Sequence, residues 1–195
     1  MTWSEIVLVV LVVAGLVVWL AWISASRLDR LHRKVVASRI ALQAQLGRRA
    51  GAAIDLASSG LLDPAGAVLV ADAAFAVVDE VDPPAEPGAE LALLGLGPDR
   101  ERAESELSAT LRSALGDDEA LAELRGTHDG AELVGQLGAA WYRAQLARRF
   151  HNEAVAQARR ARRTWYVRLL RLSGYAALPR TVELDDQMPE GFTGA

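Results

Sequence analysis

Cysteine is absent from the 195 residues. Its absence excludes disulfides, thiol nucleophiles and cysteine-ligated metals, and it agrees with a cytoplasmic body. Lysine is nearly absent too. Lys34 is the only one, and arginine carries almost all the positive charge. The first six residues, MTWSEI, contain no Lys or Arg, and no charge of either sign stands between Ile6 and Ile23. No segment shows the period-two alternation of a half-buried strand, so a sheet is not expected. HExxH and Gly-rich phosphate loops are also missing.

What fills the uncharged stretch is IVLVVLVVAGLVVWLAWI. A helix of about 18 apolar residues is long enough to cross the hydrocarbon core. Leu, Ile and Val each favour insertion by roughly 0.3 to 0.6 kcal/mol at the helix centre. A cleaved signal peptide would carry a basic n-region and a small-residue cleavage site. Here the first six residues carry no Lys or Arg and Trp22-Ile23 leads straight into an Arg-rich helical pattern, so a retained anchor is expected over residues 1–26. Trp3 on one side and Trp19 and Trp22 on the other suit the two interfaces. Arg27, Arg30, Arg33, Lys34 and Arg39 follow immediately. Short basic flanks stay cytoplasmic, which predicts an inner-membrane protein with its N-terminus outside and its body in the cytoplasm.

Helical periodicity dominates the rest. Leu28, Leu31, Val35, Leu42, Leu46, Ala53 and Leu56 mark one stripe to about Ser58, with no breaker separating it from the anchor. Gly60 ends it. Asp63-Pro64 reads as an N-cap followed by proline in the first turn. A second stripe is expected from Val68, Ala71, Phe75 and Val78. Pro83, Pro84, Pro87, Gly95, Gly97 and Pro98 punctuate a long loop. A third helix, from about Asp99 to Leu115, sets Ala103, Leu107, Leu111 and Ala114 on one side, with Gly116 as its cap. A short segment follows and stops at Gly126.

The last helix is expected to be the longest, from Leu133 to a stop at Gly174. Its stripe of Leu137, Ala140, Ala144, Ala147, His151, Ala154, Ala158, Trp165, Leu169 and Leu172 holds a near-heptad beat. Arg148, Arg149, Arg159, Arg160 and Arg163 fall opposite. The expected fold is therefore all-α: one transmembrane helix, then an elongated antiparallel bundle over residues 27–175 with coiled-coil-like first and last helices. Residues 176–195, with Pro179, Pro189 and Gly191, are expected to be a disordered tail.

Charge is segregated along the chain. Residues 24–54 carry a net +6, residues 55–132 a net −14, residues 133–175 a net +8 and the tail a net −3. Helices with complementary faces packing together account for this. Basic helices lying near an anionic surface are the less favoured alternative.

Ala147-Arg148-Arg149-Phe150-His151-Asn152-Glu153-Ala154-Val155 resembles the carboxy-terminal helix signature of LemA-like proteins. Gln45-Leu46 with Arg48-Arg49 is similar to that family's first-helix pattern, and the layout of a short outer N-terminus, one anchor and a bundle matches too. His151 stands in place of the family's tyrosine. The resemblance covers the two long helices. It implies a single-span bacterial membrane protein of poorly defined biochemistry, with no catalytic residues to carry over.

Chemistry is sparse. His32, His128 and His151 have no mutual metal spacing, and His151 on an apolar stripe reads as a seam residue. Asn152 beside it is placed either to bond across the bundle or to face solvent. Asp117-Asp118-Glu119 fits a solvated helix start better than a weak Mg²⁺ or Ca²⁺ site. Gly95 and Glu101 satisfy the opening of a Nudix-type box, but its acidic core is replaced by Ala109-Thr110-Leu111-Arg112-Ser113-Ala114. No enzyme and no cofactor are expected. A nucleic-acid partner is not expected either, because aromatics are not interleaved with the arginines outside Trp165-Tyr166 and the body is acidic.

Helix lengths supply one further expectation. The first soluble helix spans about 45 Å and the last about 60 Å. An antiparallel return then brings the last helix's C-terminal turns to the bilayer. Arg160, Arg162, Arg163, Trp165, Tyr166, Arg168, Arg171 and Tyr175 would join Arg27, Arg30, Arg33 and Lys34 near anionic headgroups. The function that follows is a membrane-anchored interaction or scaffold protein with unidentified protein partners. A stalk or stator-like tether subunit is the alternative.

Overall fold

The computed structural model describes residues 3–80, 95–165, 167 and 177–192. Among them the regular structure is entirely helical: α1 (Trp3–Ser58), α2 (Pro64–Asp79), α3 (Pro98–Leu115), α4 (Asp118–Gly126) and α5 (His128–Arg162), with a single 3₁₀ turn at Glu190–Phe192. The expected all-α bundle is what forms.

α1 runs 56 residues without interruption, about 84 Å at 1.5 Å per residue. No proline breaks it, and the apolar stretch passes directly into the basic stretch. Its apolar window is long and apolar enough to cross a membrane, and none of that window is buried. From Leu28 onward the helix enters the bundle, burying Leu28, Val35, Leu42, Leu46, Ala53 and Leu56 as their spacing predicts. The two gaps in that stripe hold Arg39 and Arg49, and both are buried as well.

Short-range signals set the remaining helix starts. The Asp63 carboxylate accepts from the Gly66 N–H at 2.8 Å, and Pro64 opens α2 without losing a bonded N–H. Asp117 caps α4 by accepting from the Glu119 N–H. The Thr127 hydroxyl accepts from the Gly130 N–H at 3.1 Å to begin α5. Before α3, Gly97 at φ 87° takes a conformation that side chains disfavour.

α5 returns antiparallel to α1. Trp141 lies by Arg49, His151 by Ser38, and Gln157 by Lys34. The core is stacked along this pair. Farthest from the apolar end, Ala50, Ala53, Leu56, Val70, Leu107, Leu111, Leu137 and Trp141 close under α2, α3 and α4. Midway, Leu42, Leu46 and Ala144 meet Leu96, Val182 and Leu184. Nearest the apolar end, Val35 packs on Ala154, Val155 and Ala158.

Three expectations are corrected. α2 buries Val70, Ala74 and Val77, whereas Val68, Phe75 and Val78 are exposed. The helix is apolar almost all round, so periodicity alone could not choose its face. Ala74 joins Ala50, Ala53 and Ala57 of α1 in one buried cluster. α5 ends at Arg162 instead of running to Gly174. Arg159, Arg160 and Arg162 stabilise its negative C-terminal end, and the Thr164 hydroxyl donates to the Ala161 carbonyl there. Trp165, placed on the seam by its spacing, is 73 % exposed. Leu169, Leu172 and Gly174 lie outside the described residues. Finally, residues 177–192 are not a loose tail. They form an ordered extended strap with Val182, Leu184 and Pro189 buried.

Candidate functional site

The strap is held by one row of α5 side chains. The Trp141 indole N–H and the Gln145 amide both donate to the Asp186 carbonyl, at 3.0 and 2.6 Å. Arg148 grips the Asp186 carboxylate with two bonds, Nε to Oδ2 at 2.7 Å and Nη2 to Oδ1 at 2.8 Å. Asn152 bonds Val182 reciprocally: its amide donates to the Val182 carbonyl and its oxygen accepts from the Val182 N–H. Arg159 donates to the Pro179 carbonyl and Arg162 to the Ala177 carbonyl. The steps from 141 to 145, 148, 152, 159 and 162 are those of a single helical stripe.

Across the strap, α3 closes the other side. Arg112 bonds the Asp185 carboxylate and the Gln187 carbonyl, and the Ser105 hydroxyl accepts from the Asp185 N–H at 3.0 Å. Arg112 first, and the strap's own turn at Gln187 after it, hold the Asp185 carboxyl below its ordinary pKa. An extended chain has no internal ladder to satisfy its amides. Here α3 and α5 side chains supply that pairing.

Beneath the strap lies a buried ionic network. The Arg49 guanidinium donates to the Glu104 carboxylate at 2.7 Å, to the Glu104 carbonyl at 2.9 Å and to the Ser108 hydroxyl at 2.8 Å. Arg100 bonds the other Glu104 oxygen at 2.9 Å and also reaches the Val77 carbonyl. Arg49 stacks 5.1 Å from the Trp141 ring centroid. Burial lowers the pKa of Arg49, and Glu104 works against that lowering. A fully buried cation is tolerable only when paired and hydrogen-bonded in this way.

The apolar end of α1 carries the second surface. The last turn of α5 packs where the apolar stretch gives way to arginines. Ser24, Arg27, Leu28, Gln157, Arg160 and Thr164 line a shallow cleft of about 340 Å³ between the two helices. Arg27, Arg30, Arg163 and Trp165 are exposed around it. Arg33 pairs with Asp29 at 2.7 Å, Arg160 with Glu153 at 2.8 Å, and Lys34 donates to Gln157. Burial, then the nearby Arg162, push the His32 pKa down. The cationic character of this end therefore comes from its arginines and Lys34 rather than from His32. Arg168 and Arg171, expected at the same surface, lie outside the described residues, as do Tyr166 and Tyr175.

The motif Arg148 to Val155 divides by face. Arg148 and Asn152 hold the strap, His151 and Val155 are buried against α1, and Arg149 and Phe150 face solvent. His151 Nδ1 lies 3.1 Å from the Ser38 hydroxyl. Sequence reasoning missed Glu104 and Arg100, named Arg49 only in a family-like pattern, and set Arg148 and Arg159 opposite the apolar stripe without giving them a partner. Among the described residues no three metal-ligating side chains converge. Compared with known proteins, the chain matches no family model, no curated protein and no solved structure.

Proposed function

We propose that this chain is a non-enzymatic, single-pass membrane-anchored interaction protein of LemA-like type. Its N-terminus faces outward and its helical body sits in the cytoplasm beneath the inner membrane. One observation carries the reading: α1 leaves the bundle with its whole apolar window unburied, at the end where the arginines of α1 and α5 gather. Exposed Val, Leu and Trp side chains over a whole span would be costly in water, whereas hydrocarbon suits them. Arginines clustered at one end of the span favour the cytoplasmic side and gain from anionic headgroups there.

The absence of cysteine makes the test clean. Ser4→Cys and Ser59→Cys variants are treated in intact cells with a membrane-impermeant maleimide. Labelling of Ser4→Cys alone is expected. Labelling of Ser59→Cys in sealed cells would overturn the orientation, and release of the protein from membranes by alkaline carbonate would overturn the anchor.

A tether subunit of a larger membrane complex is the second reading, favoured by the unbroken length of α1. Mass determination after extraction in mild detergent separates the two. A tether recovers fixed stoichiometric partners, and an interaction module recovers exchangeable ones.

A further inference from the structure

We propose that the α5 row from Trp141 to Arg162 is a docking groove for an extended acidic segment of a partner protein. In this view the chain's own residues 177–192 are its resident occupant. The row and its occupant match in length. Trp141 to Arg162 rises about 32 Å along the helix, and Ala177 to Asp186 covers about 30 Å when extended. The two run antiparallel, so Arg162 meets Ala177 and Trp141 meets Asp186.

Most of these bonds go to main-chain atoms, which every peptide carries. Such pairing gives affinity without sequence, while pockets for individual side chains give specificity, as in strand addition to a sheet edge. The side-chain demands are few. Val182 and Leu184 are buried against Leu42 and Leu46, Asp186 takes the Arg148 fork, and Asp185 takes Arg112. The ligand class is thus an extended segment with two apolar residues at alternate positions followed by two aspartates.

Nothing in the recognition requires the occupant to be covalently attached. The distal core is built by helices, and the strap only flanks it with Met188 and Phe192. Past Asp186 the occupant also leaves space. An open cleft of about 820 Å³, lined by Val134, Gly138, Tyr142, Gln145, Met188 and Phe192, continues the groove. A tethered segment competes at an effective concentration of order millimolar. The tail of a second copy would bring the same side chains and gain nothing over it. A different protein with a larger apolar residue after the aspartates fills the cleft and displaces the strap. The assignment rests on the interaction-module reading. Its test is made in detergent micelles, however, so a failure there leaves the anchor and its orientation standing.

A labelled peptide of residues 177–192 is titrated against the full chain and against the full chain opened by Val182→Asp and Asp186→Ala in its own strap. The opened chain should bind the peptide at least about tenfold more tightly than the wild type. Adding Arg148→Asp to the opened chain should weaken binding by about tenfold, and an Asp186→Arg peptide should restore it. Absence of saturable binding to an opened chain with intact helical circular dichroism overturns the proposal. So does binding that Arg148→Asp leaves unmoved. Should the double variant lose its helical signal, the Asp186→Ala chain is titrated in its place, and the same two results overturn the proposal.

Discussion

Arg49 of α1 and Glu104 of α3 meet at 2.7 Å with neither side chain reaching solvent. The pair ties the long axial helix to the short helix that backs the strap, under the face of Trp141. Removing one partner leaves an uncompensated charge in the core. Glu104→Ala strands both Arg49 and Arg100, so a loss of about 3–5 kcal/mol is expected in urea unfolding in mild detergent. Arg49→Met combined with Glu104→Leu should cost less than Glu104→Ala alone, because no ion of that pair is then left unpaired. A double variant no more stable than the single one would argue against this account.

Two glycines of α5 should respond oppositely to alanine. A methyl group on Gly130 would run into the Leu124 carbonyl and lie 2.6 Å from the Thr127 hydroxyl. Gly130→Ala should therefore destabilise the α4–α5 junction by about 1–3 kcal/mol. Gly135 has open space around it, and Gly135→Ala should stabilise by about 0.5–1 kcal/mol through helix propensity. Thermal melts of the two variants side by side decide the matter.

The helices were legible where spacing and burial agree. The stripe through Leu28, Val35, Leu42, Leu46 and Leu56 could be read directly, and so could the cap at Asp63. Arg39 and Arg49 could have been found by the same rule, because each falls in a gap of that stripe. Residue type hid them: arginine ordinarily reads as solvated. α2 was ambiguous because Val and Ala surround it. The strap had no local signal at all, since its amides and carbonyls bond side chains tens of residues away. The stripe Trp141, Gln145, Arg148, Asn152 was visible as a polar row, but nothing in the sequence says what a polar row holds.

Acidification should loosen the α1–α5 seam. Burial holds His151 below its ordinary pKa of 6.5; the Arg180 backbone works the other way, and Arg39 adds to the lowering. As pH falls through 6.5, the unfolded chain takes up its proton first. Stability therefore drops with falling pH until the folded-state value is passed, and levels off below it. His32 contributes with the same sign. His151→Gln should flatten the slope between about pH 7 and pH 5 relative to the wild type, measured by urea midpoints at each pH.

Strap docking should depend on Asn152 more than on its exposed neighbours. Asn152→Leu removes both bonds to Val182 and leaves that residue's N–H and carbonyl unmatched, a loss of about 1–3 kcal/mol. Hydrogen exchange at Val182 and Asp185 should accelerate accordingly. Phe150→Ala, which alters a solvent-facing side chain, should leave those amides unchanged.

The arginines at the apolar end should read membrane charge. Residues 27–195 retain every core position, because the window removed contributes nothing buried. Sedimentation with anionic vesicles should exceed that with neutral ones. Arg160→Glu and Arg163→Glu should each reduce the affinity by about 1 kcal/mol or more. Equal recovery with the two vesicle types would remove the second membrane contact from the account.

The uninterrupted course of α1 also has a mechanical meaning. A body hung on a flexible linker swivels freely and samples every azimuth. Here the same rod would be both mast and keel, so a tilt or twist imposed within the lipid must reappear in the bundle. On the proposed anchorage the strap rides at a fixed height and heading, so that a partner meets it from one side of the bundle.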